Sequence, residues 1–311
     1  MRSNSLTIAL ILFVAGNLFA CSSSSTPPTP PPTPQNLYAV DFTTGKIFVY
    51  ALPASASATP TVTVATGFTV LYDAVFDANG NLFVDNDLNP SVIYGYTLPL
   101  TSSSTPATTL TMTGSTPTNT ANAYSFTFDP TGNLWLADEG NGRLLGYHGP
   151  FSGVMTPAAF TTITGLNAPE NVISDTAGDL YVGVSTKVVR FNAPPTSVNA
   201  TLSGLMEPIA MLLDGSGNLY VGDFTNGNLY RYNAPVNDGA SPAITDLRVN
   251  TTLHIGGPYF MALDRSGNLY VSDCSTSIKV FATATFSSTS APAYTLPLPA
   301  GSACSTGLAV R

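Results

Sequence analysis

Charge is what this sequence has least of. Only 9% of its 311 residues are Asp, Glu, Lys or Arg, and ten Lys and Arg against 18 acids leave a net charge of −8. Phosphate backbones are held by concentrated basic faces, so nucleic acid is excluded as a partner. Histidine occurs twice, at His148 and His254, and cysteine three times. Zinc sites built on His and Cys, Cys–His nucleophiles and a Ser-His-Asp triad therefore lack material. The apolar run from Leu6 to Val14 is too short to span a bilayer, and no stretch repeats apolar residues at helical spacing. What is plentiful is Gly (26), Pro (25), Ser, Thr and Asn, the punctuation of short strands and turns.

The first residues have the layout of an export leader: Arg2, the apolar run, then Leu18-Phe19-Ala20-Cys21. Leu, a small residue and Cys in that order resemble a bacterial lipobox, which implies that Cys21 is acylated and becomes the mature N-terminus. After it comes SSSSTPPTPPPTPQ, which has nothing to bury and stays extended at about 3.1 Å per residue. The expected organisation is a leader over 1–20, a lipidated Cys and tether over 21–35, and a domain over 36–311. The resemblance implies an exported protein anchored in the cell envelope by lipid, in the outer membrane if the envelope is Gram-negative.

Within 36–311 one phrase recurs five times: DANGNLFV from Asp77, DPTGNLWL from Asp129, DTAGDLYV from Asp175, DGSGNLYV from Asp214 and DRSGNLYV from Asp264. Intervals of 39 to 52 residues belong to propellers and solenoids. In each copy an apolar strand runs into Asp-x-x-Gly-Asn/Asp and an alternating strand leaves it. That is a hairpin in which Asp caps the turn and Gly supplies the positive φ. A third strand ending in an aromatic follows, six times over, at Tyr50, Tyr96, Tyr147, Phe191, Tyr232 and Phe281. A Thr-rich fourth segment comes after each. Four antiparallel strands per unit describe the blades of a propeller.

The innermost strand precedes the turn only five times, because the first copy, NLYAVDFTTGKIFVY from Asn36, starts at strand two. The missing strand is supplied by Thr306-Gly307-Leu308-Ala309-Val310. The predicted fold is thus all-β, a six-bladed propeller whose ends meet in one sheet and abolish the exposed edges of an open array. The wording resembles the NHL-repeat and broader six-bladed TolB-like propellers, with Pro169, Pro208 and Pro258 six residues ahead of their turn Asp. That resemblance implies fold and leaves function open, since the scaffold hosts enzymes and binding proteins alike.

Sorting the acids isolates a candidate site. Five turn Asp residues are caps, and Asp41, Asp138, Asp223, Asp273 and one of Asp85 and Asp87 close second strands. Asp73, Glu170 and Glu207 remain, besides Glu139, Asp238 and Asp246 in segments expected to be exposed. Asp73, with Asn171 in the same register of its blade and Glu170 next to it, is placed at the channel mouth with Tyr72, Tyr124 and Tyr259 beside them. Such a rim suits a cation or a polar ligand such as a sugar.

Two functions follow. One is a lipid-anchored, monomeric propeller that binds a protein, a polar small molecule or a glycan. The other is a metal-dependent hydrolase similar to the regucalcin and gluconolactonase family, which implies one divalent cation, Ca²⁺ or Zn²⁺, on Asp73, Glu170 and Asn171. That family's Glu near the start of the chain has no counterpart in the strand from Thr306. The stretch GNLWLADEGNGRLLG also resembles the virginiamycin B lyase propellers, which act through His; neither histidine here is on a channel strand. Finally, Cys274 follows a second strand and Cys304 precedes the closing strand, on the same face of a propeller, which predicts a disulfide pinning the closure.

Overall fold

The five Asp-x-x-Gly turns show how the sequence sets its own hairpins. The Asp77 N–H donates to the Asn81 carbonyl, Gly80 N–H to the Asp77 carbonyl, and Asn81 N–H to Asp77 Oδ1 at 2.7 Å. The same side-chain cap forms at Asp129, Asp175, Asp214 and Asp264. The glycines take φ between +79° and +87°, closed to other residues at this cost. Each turn joins an innermost strand to a second strand.

The computed structural model describes residues 34–114, 121–243, 257–282 and 291–311. The leader, Cys21 and the tether up to residue 33 lie outside the described residues, as do His254 and most of the fourth segment of the fifth unit, while Gln35 already belongs to a strand. Residues 34–311 form six antiparallel sheets arranged as blades. The second blade runs Leu71–Phe76, Leu82–Asn86, Val92–Tyr96 and Thr108–Thr111 from the axis outward; the first, third, fourth and sixth repeat it, and the fifth shows three strands among the described residues.

Strand alternation puts one row of each blade against the preceding neighbour and one against the next. The third-strand aromatics are among the largest buried side chains, and Tyr50, Tyr96, Tyr147 and Tyr232 are all 2% exposed or less. Two of them also tie blades together by hydrogen bonds. Tyr147 donates to the Thr113 carbonyl (2.5 Å) and Tyr50 to the Pro297 carbonyl (3.1 Å), each in the preceding blade.

The first blade is closed as the repeat predicts. Ser305–Val310 is its innermost strand and pairs antiparallel with Gln35–Asp41, Leu37 facing Val310 and Ala39 facing Leu308. Thr306 Oγ donates to the Leu71 carbonyl of the second blade, and Ser272 of the sixth donates to the Thr306 carbonyl. Cys274 and Cys304 are joined by a disulfide, with Cα atoms 4.0 Å apart.

One strand was not anticipated. Gly153–Met155, in the third unit, lies parallel to Thr108–Thr111 and extends the second blade to five strands. Its three residues follow a proline and alternate too briefly to read as a strand, so only the neighbouring edge reveals it.

Candidate functional site

The inner strands carry the site, and a repeated irregularity in them decides which side chains reach it. In the second, third, fourth and fifth blades the ladder between the first two strands slips near its end. Ala123 pairs with Asp138 but Ser125 with Ala137, Pro169 with Val184 but Asn171 with Gly183, and Pro208 with Asp223 but Ala210 with Gly222. In the second blade Tyr72 and Asp73 both fall between Leu71, opposite Asn86, and Ala74, opposite Val84. A bulge suspends alternation and re-aims side chains. Two consecutive residues per strand are thereby freed to face the axis.

The outer of these layers is aromatic. Tyr72 is 4% exposed, with ring centroids 4.5 Å from Tyr124, 6.0 Å from Tyr259 and 5.3 Å from Phe260. Phe42 and Phe224, from loops after second strands, pack edge-on against Tyr72 and Tyr259. Together they close this end of the channel. Burial, then the neighbouring Tyr124, raises the Tyr72 hydroxyl far above its ordinary pKa, and that hydroxyl has no hydrogen-bond partner of good geometry. Glu170 sits at the edge of the cluster with Oε2 buried and unpartnered. Burial, then the charges of Glu207 and Glu139, pushes it up to about 7.

The inner layer is polar on one side only. Asp73 is 4% exposed and accepts hydrogen bonds from Ala74 N–H (2.6 Å), Ser125 Oγ (2.8 Å) and Phe126 N–H (3.3 Å). Burial nonetheless pushes it up to about 6. Asn171, 2% exposed, keeps its Oδ1 buried without a partner. These side chains line a cavity of about 240 Å³ on the axis, faced on the other side by Met211, Met261, Phe260 and Leu308. The cavity shares Ser174 and Leu213 with a wider depression of about 510 Å³ on the opposite face, walled by Phe76, Phe128 and the hairpin turns. Among the described residues the channel is therefore open on the turn face and blind at the tyrosines.

This arrangement corrects the expected rim. Asp73 and Asn171 are not at a solvated mouth but one layer inside it, beneath Tyr72, Tyr124 and Tyr259. Glu170 stays with the tyrosines, so the three candidate metal ligands divide between two layers. Among the described residues no group of three or more His, Cys, Asp and Glu converges as a cation site would. His148 stacks on Phe160 at 3.9 Å, away from the axial cavities.

Asp85 is the functional-site residue that the sequence hid. Asn86, not Asp85 or Asp87, holds the strand-closing place, its Oδ1 accepting Val92 N–H (2.7 Å). Asp85 is instead fully buried behind the channel. Its Oδ1 accepts the Asp73 N–H at 2.6 Å and its Oδ2 has no partner. Burial, then the Asp73 charge, holds it well above the usual carboxylate range. Aligning the second strands by Asn-Leu would have found it: Val40, Ala137, Gly183, Gly222 and Ser272 occupy the same register, and a carboxylate there is out of place.

No protein-family model matches the chain, and comparison with curated protein sequences finds no match. Among solved structures, a Bacteroides caccae protein of unknown function superposes with a TM-score of 0.60 at 11% identity, covering 89% of this chain and 99% of its own. A streptogramin B lyase does so with a TM-score of 0.50 at 12% identity, over 86% and 74%. At such identities the likeness is one of fold.

Proposed function

We propose that the chain is a lipid-anchored propeller of the cell envelope that binds a small ligand on its axis. The observation that carries this reading is the blind cavity with a buried, unpaired acceptor, Asn171 Oδ1, on its wall. Buried polar atoms without partners are rare and costly in a folded protein, and a ligand donor removes the cost. A convergent polar arc facing apolar residues is the usual chemistry of a small-molecule pocket. Gln35, at the start of the domain, accepts the Arg265 N–H (2.9 Å) on the turn face, where the cavity opens.

The test is a thermal-shift screen of the full chain against polar and amphiphilic compounds, repeated on Ser174→Trp, which fills the neck between the two cavities. Ligands should stabilise the wild type and not the variant; hits indifferent to Ser174→Trp would remove the axial site. Lipidation predicts palmitate incorporation that Cys21→Ala abolishes.

A second reading rests on Glu170. A carboxyl held near 7 beside tyrosines is poised for general acid–base work, as in a hydrolase or lyase. A turnover rate that rises with an apparent pKa near 7 and vanishes in Glu170→Gln would favour catalysis over binding.

A further inference from the structure

We propose that the axial channel takes a small amphiphile carrying an ammonium group, inserted head-first from the turn face. This rests on the axial binding site argued above and assigns its ligand class. The floor offers acceptors: the Asp73 carboxylate, Ser125 Oγ, which already donates its proton to Asp73, and the unpartnered Asn171 Oδ1. Asp85 stands directly behind Asp73, adding a second carboxyl to one side of the channel. Among the described residues no Lys, Arg or His lines either cavity, and the cation beside the rim is Arg311, stacked 5.7 Å from the ring of the rim residue Phe76.

An anion entering here meets the Asp73 carboxylate in a low-dielectric wall and is repelled. A neutral polyol finds few donors for its own oxygens. An ammonium has three donors and no acceptor, which matches the floor. Met211, Met261, Leu212 and Leu308 face that polar arc and continue toward the rim, so the bound group needs an apolar body as well as a charged head. Three residues of strand separate the floor layer from the rim at Phe76 and Phe128, about 10 Å at 3.3 Å per residue. A chain of about six carbons spans that depth, with its free end among the aromatic rings of the rim.

The experiment compares hexylammonium, hexanol and hexanoate by titration calorimetry on the full chain at pH 7.5. Hexylammonium is expected to bind at least tenfold more tightly than hexanol, and hexanoate not detectably. Asp73→Asn should abolish the preference for the cation while leaving hexanol within about twofold. Because Asp73 is woven into backbone hydrogen bonds, Asn171→Leu serves as an independent variant and should weaken hexylammonium about five- to tenfold with unchanged circular dichroism. Equal binding of the alcohol or the carboxylate, blocked by Ser174→Trp, would overturn the ammonium assignment and leave the axial site standing. Absence of hexylammonium binding at millimolar concentration overturns it outright.

Discussion

At the scale of single residues, Asp73 and Asp85 are the least comfortable groups in the molecule. Both carboxyls are buried, the backbone N–H of one is bonded to the other, and both are raised above an ordinary Asp. The sign of the pH effect follows from linkage. Between the unfolded value near 4 and the folded value of about 6 for Asp73, the native state holds a proton that the unfolded state has released. Stability is therefore full below about pH 4 and falls as pH rises through that window, further still for Asp85. Asp85→Asn keeps an acceptor for the Asp73 N–H and removes the desolvated charge. Urea unfolding from pH 4.5 to 8 should show the variant about 1–3 kcal/mol more stable than the wild type at pH 7.5 and nearly equal at pH 4.5. A wild type that gains stability over this range would refute the coupled pair. Turn caps such as Asp129 were legible because each acts on its own neighbours in sequence. Asp85 was not, because its partner is a residue twelve positions away across a slipped ladder.

At the scale of elements, the innermost strands meet one another around the axis, and the third strand of each blade adds a buried aromatic to the joint. Its terminal aromatic is buried against the preceding sheet, and in the third blade its hydroxyl reaches the Thr113 carbonyl there. Tyr147→Ala removes a fully buried ring and should cost about 3–5 kcal/mol. Tyr147→Phe, which only unpairs the carbonyl, should cost about 1 kcal/mol, both read from denaturation midpoints at constant m-value. A larger loss for Phe than for Ala would mean that the ring is not the source of the stability. The aromatic positions could be counted from the sequence because they repeat at a fixed place in each unit. The parallel strand Gly153–Met155 could not, since nothing in its own residues names the edge it joins.

At the scale of the molecule, stability depends on how the ring is fastened. The closing strand pairs with Gln35–Asp41, bonds to the second and sixth blades, and is tied by the disulfide to the loop after Asn268–Ser272. The crosslink closes a loop of sequence separation 30, for which chain entropy gives about 3–4 kcal/mol. Reduction, or Cys274→Ser with Cys304→Ser, should lower Tm by about 5–10 °C, and the oxidised wild type should show no free thiol from this pair. An unchanged Tm on reduction would show that strand pairing alone holds the ring. The same closure fixes which way the site opens. The hairpin turns surround the open funnel, and the loops that carry Phe42 and Phe224 cover the blind end.

Local chemistry was enough for the sequence alone to determine the hairpins, the number of blades, the strand that completes the first of them and the pairing of Cys274 with Cys304. The first three depend on residues adjacent in the chain or on a pattern repeated along it, and the disulfide follows from the face that the repeat assigns to its two loops. The tertiary structure alone decided that Asp73 and Asn171 sit inside the channel, that Glu170 parts from them, that Asp85 backs the floor, and that tyrosines seal one end. Those outcomes turn on bulges that shift side chains by one layer. A bulge sets two residues of one strand against one of its partner, and which side chains it re-aims appears only in the paired ladder.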